Sequence, residues 1–374
     1  MLYADRFTSM NILHLPDNVA GNASGLAAGE RALGHQSSVL ALHRSPYGFP
    51  ADRQLAVEER GRLGRIATYL ATFLRVRSGY DLYHFAFGSS LWHFPARGLY
   101  LLDLPFYSAR AKKVVTYQGC DARQKYPTMR RNEGVGERIA ACFETECYGG
   151  MCNSGRKDRE RQASIEKAAR HADHLFALNP DLLHFLPREK ASFLPYAIDG
   201  FDRLPARSGP FFAGDVVHIV HAPTQRAAKG SSYVLRALAG LEEAFPGRLR
   251  VTLVENVDRA TALRIIATAD LLIDQVLIGW YGGVAVEAMK MGVPVACFIN
   301  DRDLALIPPA MAAEMPLLRV TPFDLKDRLA AFLRERDQAP ELARRGTEYV
   351  ARWHDPRAVA RQVFRTVFGS DTPA

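Results

Sequence analysis

The chain has 374 residues, which is long for one hydrophobic core and sufficient for two domains of ordinary size. Hydrophobic residues make up 48% and charged residues 24%, a balance that excludes disordered and fibrous classes. The net charge of +8 suggests a polyanionic partner, either nucleic acid, an anionic membrane surface or a nucleoside diphosphate, although many basic proteins bind none of these. Because no uncharged apolar run could span a membrane and the start lacks secretory-signal features, we expect a cytoplasmic protein.

The first half alternates strand-like and helix-like segments. Strands are predicted at 12–15, 38–42, 81–87, 113–118, 174–178 and 192–195. A loop containing Gly21 and Asn22 follows the first strand and leads into a helix, which makes the opening a β–α–β unit. The pattern breaks between Gly134 and Gln162, where cysteines, glycines and charges dominate, and we interpret this segment as an insertion.

The second half repeats this alternation after a linker candidate at 199–215, which is rich in proline, glycine and arginine. Strands are predicted at 216–221, 250–254, 271–274 and 293–298, and helices at 231–245, 259–268 and 284–291. Asp355 and Pro356 supply an N-cap and a first-turn proline for a last helix. The sequence therefore predicts two parallel doubly wound sheets. We expect an N-terminal domain at 1–200, a second domain at 201–355, and a final helix at 356–374 that packs back on the first domain.

Two motifs of the second half are recognisable. The segment HAPTQRAAKG, from His221 to Gly230, lies directly after a strand and before a helix. The segment YGGVAVEAM, from Tyr281 to Met289, is followed by Gly-Val-Pro-Val at 292–295. Together they resemble the retaining glycosyltransferases of the GT-B fold, the large group 1 family, over most of 174–300 and more loosely in the first half. The resemblance implies an α/β protein with two Rossmann-like doubly wound parallel-sheet domains facing each other across a cleft.

The motif residues have the chemistry of a diphosphate site. Arg226 and Lys229 stand three residues apart at a loop-to-helix junction, so both can reach one ligand. Gly282 and Gly283 open a helix whose amides and dipole can hold phosphate oxygens. Glu287 lies one turn further on, and its carboxylate suits two ribose hydroxyls. The resemblance assigns the same roles, with donor binding by Arg226, Lys229, Tyr281, Gly282, Gly283 and Glu287, and catalysis by Arg226, Lys229 and Glu287.

Taken singly, these residues have simpler interpretations. The two basic side chains could be solvated surface, and the two glycines could form a helix-packing turn. A glutamate within an apolar stretch is harder to dismiss, because a buried carboxylate needs a partner. The three features together favour a donor site for a nucleotide-diphosphate sugar as co-substrate.

The sequence departs from the family pattern in two places. The family has two glutamates separated by seven residues, and the first falls on Gly279. The residue that normally contacts the donor sugar is therefore missing, and Trp280 and Tyr281 are candidates to shape the sugar pocket instead. The histidine common at the end of a first-half strand falls on Gln118, which cannot shuttle protons. This fits a retaining mechanism in which the leaving phosphate takes the acceptor proton.

The implied reaction is sugar transfer, with retention, to a glycan, lipid-linked or small-molecule acceptor, without a catalytic divalent metal. Residues at the carboxyl ends of first-half strands are acceptor-side candidates: Gly21, Asn22, His84, Gln118 and Asp121. His84 could equally be a histidine satisfied within its strand. The alternatives are a nucleotide-sugar epimerase or phosphorylase on the same scaffold, and a non-catalytic partner in polysaccharide assembly. Nucleic-acid binding is not expected, because no basic motif of a known module is present.

Four of the five cysteines fall within one segment. Cys142, Cys147 and Cys152 are separated by four residues each time, and Cys120 precedes them. Nearby thiols in a cytosolic protein suggest tetrahedral zinc before disulfides, although the spacing is not that of short metal knuckles. A structural zinc that pins the insertion beside the acceptor site is one hypothesis, and scattered thiols are the alternative.

The segment from Arg60 to Arg77 carries five arginines and no acidic residue, with the arginines at both ends of an apolar helical stripe. A helix that contacts an anionic membrane surface is one interpretation, because many members of the family act on lipid-linked acceptors. A solvated helix that packs on its own domain is the other. The first interpretation would make the protein peripheral at the inner face of the membrane.

Overall fold

A computed structural model describes residues 9–133 and 138–371, and it separates the chain into two compact units. Unit 1 contains the chain up to Arg123, then Arg159–Asp199, and the residues from His354 onward. Unit 2 contains Gln124–Asp158 and Gly200–Trp353. The chain passes from one unit to the other near residues 200 and 355, where we had expected domain boundaries. Residues 124–158, which we had expected in the N-terminal domain, belong to unit 2 instead.

Unit 1 is a parallel seven-stranded sheet with helices. Its strands are β1 (Asn11–Leu15), β2 (Gln36–Ala41), β3 (Arg53–Gln54), β4 (Leu82–Ala86), β5 (Lys112–Tyr117), β6 (His174–Ala177) and β7 (Ala191–Phe193). Its helices are α1 (Asn22–Ala32), α2 (Arg62–Val76), most of α4 (Arg156–His171) and α12 (Pro356–Phe368). The strand order β3-β2-β1-β4-β5-β6-β7, with every pair parallel, is that of a doubly wound sheet.

Two glycines of α1 allow close packing, one against the start of α12 and the other against the segment after β7. A Cβ on Gly29 would lie 2.1 Å from the carbonyl oxygen of Pro356, and one on Gly25 would lie 2.5 Å from that of Ala197. Only glycine lets the backbones approach this closely. Asp355 caps α12 by accepting a hydrogen bond from the Arg357 amide at 2.8 Å, as the sequence predicts. The last helix thus belongs to the core of unit 1.

Unit 2 is a parallel five-stranded sheet with helices. Its strands are β8 (Val217–His221), β9 (Leu249–Leu253), β10 (Leu271–Ile273), β11 (Val295–Cys297) and β12 (Leu318–Arg319). Its helices are α3 (Lys125–Glu133), α5 (Arg226–Lys229), α6 (Ser231–Ala244), α7 (Arg259–Ile266), α8 (Gly283–Met291), α9 (Pro309–Glu314), α10 (Leu325–Arg334) and α11 (Gln338–Trp353). The strand order is β12-β11-β10-β8-β9, again parallel throughout, so the predicted fold class is confirmed.

The segment predicted as an irregular insertion is anchored by hydrogen bonds within unit 2; its first four residues, 134–137, lie outside the described residues. Asp158 accepts hydrogen bonds from the amides of Lys125 and Tyr126, at 2.7 and 2.9 Å, and so caps the start of α3. The Lys125 ammonium donates to Asn153 at 2.6 Å. The Ala141 amide donates to the carbonyl of Leu277 at 3.1 Å, which attaches the segment to the loop after β10.

Helix α2 carries an exposed apolar stripe. Leu63 is 82% exposed, and Ile66, Leu70 and Leu74 are about half exposed, whereas Phe73 on the opposite side is buried in the core. All five arginines of the segment are also exposed. Within the described residues, no helix combines the length and apolarity needed to cross a membrane. The apolar side of α2 therefore faces outward from unit 1 instead of packing on it.

Candidate functional site

Lys229 and the start of α8 meet at one buried carboxylate in unit 2. Lys229 ends α5, and its ammonium lies 2.5 Å from Oδ1 of Asp274, the residue directly after β10. Oδ2 of the same carboxylate accepts a hydrogen bond from the Gly282 amide at 2.6 Å. The side chain of Asp274 is fully buried. Adjacent parallel strands β8 and β10 bring these two predicted phosphate-binding groups together.

The glycines at the start of α8 have distinct roles. A Cβ on Gly282 would lie 3.2 Å from the Lys229 ammonium, so a larger residue would displace that side chain by a few tenths of an ångström. A Cβ on Gly283 would meet open space. The amides of Gly283 and Val284 belong to the first turn of α8, where no intrahelical acceptor exists. These amides are available to an anion at the positive end of the helix.

Arg226 and Glu287, the other predicted catalytic residues, also form ion pairs in unit 2. Arg226 donates to both carboxylate oxygens of Glu255, at 2.8 and 2.5 Å, and remains more than half exposed. This bond lowers the pKa of Glu255. Glu287 accepts a hydrogen bond from Nε of Arg259, the first residue of α7, at 2.7 Å. The buried carboxylate therefore has the partner that its apolar surroundings require.

The loop between β10 and α8 is held by Gln275, which the sequence analysis did not single out. Its Oε1 accepts hydrogen bonds from the Leu277 and Ile278 amides, and its Nε2 donates to the carbonyls of Trp280 and Phe298. Gln275 is fully buried. The sequence did contain a signal for this loop, namely the polar pair Asp274-Gln275 directly after a buried apolar strand. Polar residues at a strand end lie where open α/β sheets bind ligands.

Gly279, where the sequence lacks the expected glutamate, and the sugar-pocket candidates Trp280 and Tyr281 all take part in packing. Gly279 has a φ of +87°, and a Cβ there would lie 3.1 Å from Asn300, so a glutamate at this position would be strained. Trp280 and Tyr281 are buried and stacked on each other, with ring centroids 4.5 Å apart. The Tyr281 hydroxyl also hydrogen-bonds that of Tyr349 at 2.9 Å. Their predicted role in a sugar pocket remains a prediction.

The acceptor-side candidates all lie in unit 1. The carboxylate of Asp121 accepts hydrogen bonds from the amides of Gln118 and Gly119 beyond β5, and burial raises the pKa of Asp121 to about 6. The Gln118 side-chain nitrogen is buried and has no hydrogen-bond partner among the described residues. Asn22 accepts a hydrogen bond from the Ala197 amide at 3.0 Å. Gly21 has a φ of +71° and abuts Phe49, so it shapes the first loop.

The structure places His84 inside a strand of unit 1 and divides the four predicted zinc-binding cysteines between the two units. His84 is 2% exposed within β4, and its Nε2 hydrogen-bonds Thr116, whereas its Nδ1 has no partner among the described residues. The alternative of a histidine satisfied in its strand therefore holds for one ring nitrogen only. Cys142, Cys147 and Cys152 lie in unit 2, whereas Cys120 lies in unit 1. Among the described residues, the side chains that converge at metal-ligand spacing are His14, Glu30 and His84, and the cysteines are not among them. The cysteine zinc site therefore stays a prediction from sequence.

Comparisons with known proteins show similarity at the level of structure. No protein-family model and no curated protein sequence matches the chain. A sucrose-phosphate synthase from Thermosynechococcus elongatus is 16% identical, with a TM-score of 0.59 over 96% of this chain and 99% of that one. HepE of Anabaena, solved with UDP-glucose, is 13% identical, with a TM-score of 0.59 over 96% and 100%. A Listeria monocytogenes protein assigned as a UDP-N-acetylglucosamine 2-epimerase is 15% identical, with a TM-score of 0.55 over 98% of both chains. The two parallel-sheet units and these neighbours together show that the chain has the GT-B fold.

Proposed function

We propose that this protein is a glycosyltransferase that transfers a sugar, with retention, from a nucleoside diphosphate sugar held on unit 2. One observation carries the proposal. Lys229 and the Gly282 amide both bind the carboxylate of Asp274 at the start of α8, and the open first turn of that helix follows directly. A cation beside the amides of a helix N-terminus suits a diphosphate. That HepE is solved with UDP-glucose supports this choice of ligand.

Donor binding is an exchange of ion partners. In the free protein the ammonium of Lys229 and the Gly282 amide are bound by Asp274. A diphosphate can use the remaining two hydrogens of that ammonium and the amides of Gly283 and Val284, or it can displace the carboxylate. Arg226, which is exposed on its outer side, can move from Glu255 to the same phosphates. The first route adds hydrogen bonds to the phosphates, whereas displacement of a carboxylate replaces one charge-assisted hydrogen bond by another.

Glu287 is positioned for the ribose. It lies on α8 one turn beyond the glycines, and Arg259 holds one of its oxygens at 2.7 Å. A carboxylate accepts hydrogen bonds from two neighbouring hydroxyls, which the guanidinium of Arg259 does not prevent because each oxygen has two acceptor positions. We assign Glu287 to ribose binding and Arg259 to keeping its carboxylate oriented.

For the chemical step we assign the acceptor proton to the leaving group. The acceptor oxygen forms a bond to the anomeric carbon, the bond from that carbon to the diphosphate oxygen breaks, and the hydroxyl proton passes to that oxygen. Lys229, Arg226 and the positive end of α8 stabilise the departing charge, so no divalent metal is required. The unpartnered amide nitrogen of Gln118 is a donor for an acceptor hydroxyl. The acceptor class is a glycan or a lipid-linked sugar, as in polysaccharide assembly.

A second candidate function uses the same donor site without an acceptor. The similarity to a protein assigned as a UDP-N-acetylglucosamine 2-epimerase supports it. Glycosyl transfer is favoured because the residues after β5, Gln118 and Asp121, form an ordered polar turn that an epimerase reaction on the donor does not require. Isotope-labelled nucleotide sugar separates the two, since transfer releases nucleoside diphosphate and epimerisation does not.

We also propose that α2 docks unit 1 on an anionic membrane surface. Leu63, Ile66, Leu70 and Leu74 form an exposed apolar stripe, and exposed arginines stand at both of its ends without a neighbouring acid in the segment. Apolar side chains entering the interface and basic groups near anionic headgroups both favour binding, the latter by about 1 kcal/mol each. A lipid-linked acceptor would be reached from this position.

The donor site is tested by calorimetry with UDP, ADP and GDP and by turnover with the matching nucleotide sugars. We expect one nucleoside diphosphate to bind selectively. Glu287→Gln should weaken this binding while the fold stays intact, and it should also lower the melting temperature because Arg259 loses the charge of Glu287. Arg328→Gln, which removes an exposed ion pair on α10, is the matched control and should bind normally. No binding of any nucleoside diphosphate to wild-type protein would refute the proposal.

A further inference from the structure

A buried cluster of three potential metal ligands lies in unit 1. Of the three, only His84 is also an acceptor-side candidate of the sequence analysis. His14 on β1 and His84 on β4 are directly paired in the parallel register. Glu30 reaches them from α1. Their exposed fractions are 1%, 2% and 0%, so all three are inside the core. One ligand atom from each lies within 4.8 Å of the others.

The cluster is partly satisfied by hydrogen bonds. Nε2 of His14 lies 2.7 Å from Oε2 of Glu30, and the Ser37 hydroxyl donates to the same oxygen at 2.6 Å. Nε2 of His84 hydrogen-bonds the hydroxyl of Thr116. The two imidazole rings are stacked with centroids 5.0 Å apart. These contacts fix the orientation of every ring and of the carboxylate.

Two polar atoms of the cluster have no partner within the described residues: Oε1 of Glu30 and Nδ1 of His84. A buried polar atom without a partner costs about 1–3 kcal/mol, and more when it is charged. The hydrogen bond between Nε2 of His14 and Oε2 of Glu30 does not involve either of these two atoms. A cation that accepts lone pairs from the carboxylate and from His84 would satisfy them together.

We propose that His14, Glu30 and His84 form a structural site for a divalent transition metal ion of the zinc class. Two imidazole nitrogens and a carboxylate are ligands that such ions prefer over Mg²⁺ or Ca²⁺. Burial disfavours a charged imidazole, and a neutral imidazole offers the lone pair of one ring nitrogen to a metal ion. When Nε2–H of His84 donates to Thr116, that lone pair lies on Nδ1, the unpartnered atom.

The contacts around the cluster match an outer shell. Thr116 fixes the tautomer of His84, and Ser37 holds the carboxylate of Glu30, as outer-shell partners of metal ligands do. The ion would take the place of the hydrogen bond between His14 and Glu30. Because the ligands come from α1, β1 and β4, the bound ion would tie the first helix to the centre of the sheet and raise the stability of unit 1.

The first experiment uses wild-type full-length protein, stripped with a chelator and titrated with Zn²⁺ and with Co²⁺ alone. We expect one tight site whose Co²⁺ form shows visible d–d bands without sulfur-to-cobalt charge transfer, and a higher melting temperature with Zn²⁺. Zinc-edge X-ray absorption on the loaded protein should show only nitrogen and oxygen neighbours, including imidazole. A zinc ion with only sulfur neighbours, or a Zn²⁺ affinity no higher than the affinity for Mg²⁺, would overturn the proposal. The cluster would then be a hydrogen-bonded network without a metal ion.

Variants then identify the ligands. Glu30→Gln keeps the shape of the side chain but removes a direct ligand of the ion. It should weaken Zn²⁺ binding by more than about 100-fold, because loss of an outer-shell partner alone weakens binding by up to about that factor. Ser37→Ala should weaken it by about 10- to 100-fold. His174→Gln alters a half-buried histidine of the same sheet that bonds Ser192 and should leave binding unchanged. Unchanged affinity in both Glu30→Gln and Ser37→Ala would refute the assignment, and the wild-type absorption spectrum decides the matter should Glu30→Gln fail to fold.

Discussion

The ion pair between Lys229 and Asp274 allows the structural and the binding roles of one lysine to be separated. The Asp274 side chain is fully buried, and Lys229 is 13% exposed. Removing one partner of a buried pair costs about 3–5 kcal/mol, because the other charge is left uncompensated. For a unit of this size, each kcal/mol lowers the melting temperature by about 2–4 °C. We therefore expect Lys229→Met to lower the melting temperature by about 6–20 °C.

The same change should weaken nucleoside diphosphate binding. Loss of a hydrogen bond to a charged group costs about 1.5–3 kcal/mol, which is about a 10- to 150-fold rise in Kd. Asp274→Asn should have the opposite effect, because the competing carboxylate loses its charge while the side chain keeps an acceptor for the Gly282 amide. We expect on the order of tenfold tighter binding. Calorimetry with the diphosphate and thermal melts measure both quantities.

The double variant Lys229→Met/Asp274→Asn decides between the two roles. Replacing a whole buried pair by neutral groups is often close to neutral, so most of the lost stability should return. Binding should stay weak, because the cation is still absent. Arg207→Met is the matched control, since it breaks the buried pair with Asp270 in the same unit and should destabilise without weakening diphosphate binding. A double variant that binds like wild type would refute the role of Lys229, and weaker binding by Asp274→Asn would refute the competition.

Three further predictions concern the rest of the chain. Ile66→Asp should abolish sedimentation with vesicles containing phosphatidylglycerol, whereas Phe323→Asp, at another exposed apolar position, should not. Burial raises the pKa of Asp121 from 3.8 to about 6. The folded state thus binds this proton more tightly than the unfolded state does. The free energy of unfolding of wild type, measured relative to Asp121→Asn, should therefore fall as the pH rises from about 4 to 6 and stay level at higher pH. Urea unfolding at several pH values measures this difference. The alternative zinc site at the cysteines predicts sulfur neighbours in the zinc-edge spectrum and zinc that is lost in Cys147→Ser by elemental analysis. Bound zinc with only nitrogen and oxygen neighbours would exclude that site.

Much of the fold could be predicted because both sheets are parallel and buried. Strands covered on both faces appear as short apolar runs between glycine-rich or polar loops, and every strand predicted in this way is present. Helix α3 and the start of α4 were missed because their sequence is highly charged and has no clear apolar period. The cap of α3 comes from Asp158, more than thirty residues later, which no local pattern can indicate.

The candidate site was predicted in part for the same reason. Arg226, Lys229 and Glu287 stand in motifs whose spacing is local, so the sequence could single them out. Their acidic or basic partners could not be recognised, because Lys229 and Asp274 are 45 residues apart and meet only through the pairing of β8 with β10. The cluster of His14 and Glu30 was missed for a similar reason, since a helix residue and a strand residue 16 positions apart show no metal-ligand motif.

The ion pairs of the proposed donor site have a consequence for how mutations in it must be interpreted. Lys229, Arg226 and Glu287 each have an oppositely charged partner before any ligand binds. Where a phosphate displaces the carboxylate bound to Lys229 or Arg226, the strength of donor binding depends on the difference between the two anions as partners of the cation. Deleting a single member changes stability and affinity together where the pair is buried, as at Asp274, and mainly affinity where it is exposed, as at Arg226. Variants that remove both partners of a buried pair separate the two effects, since they remove the unpaired charge that lowers stability.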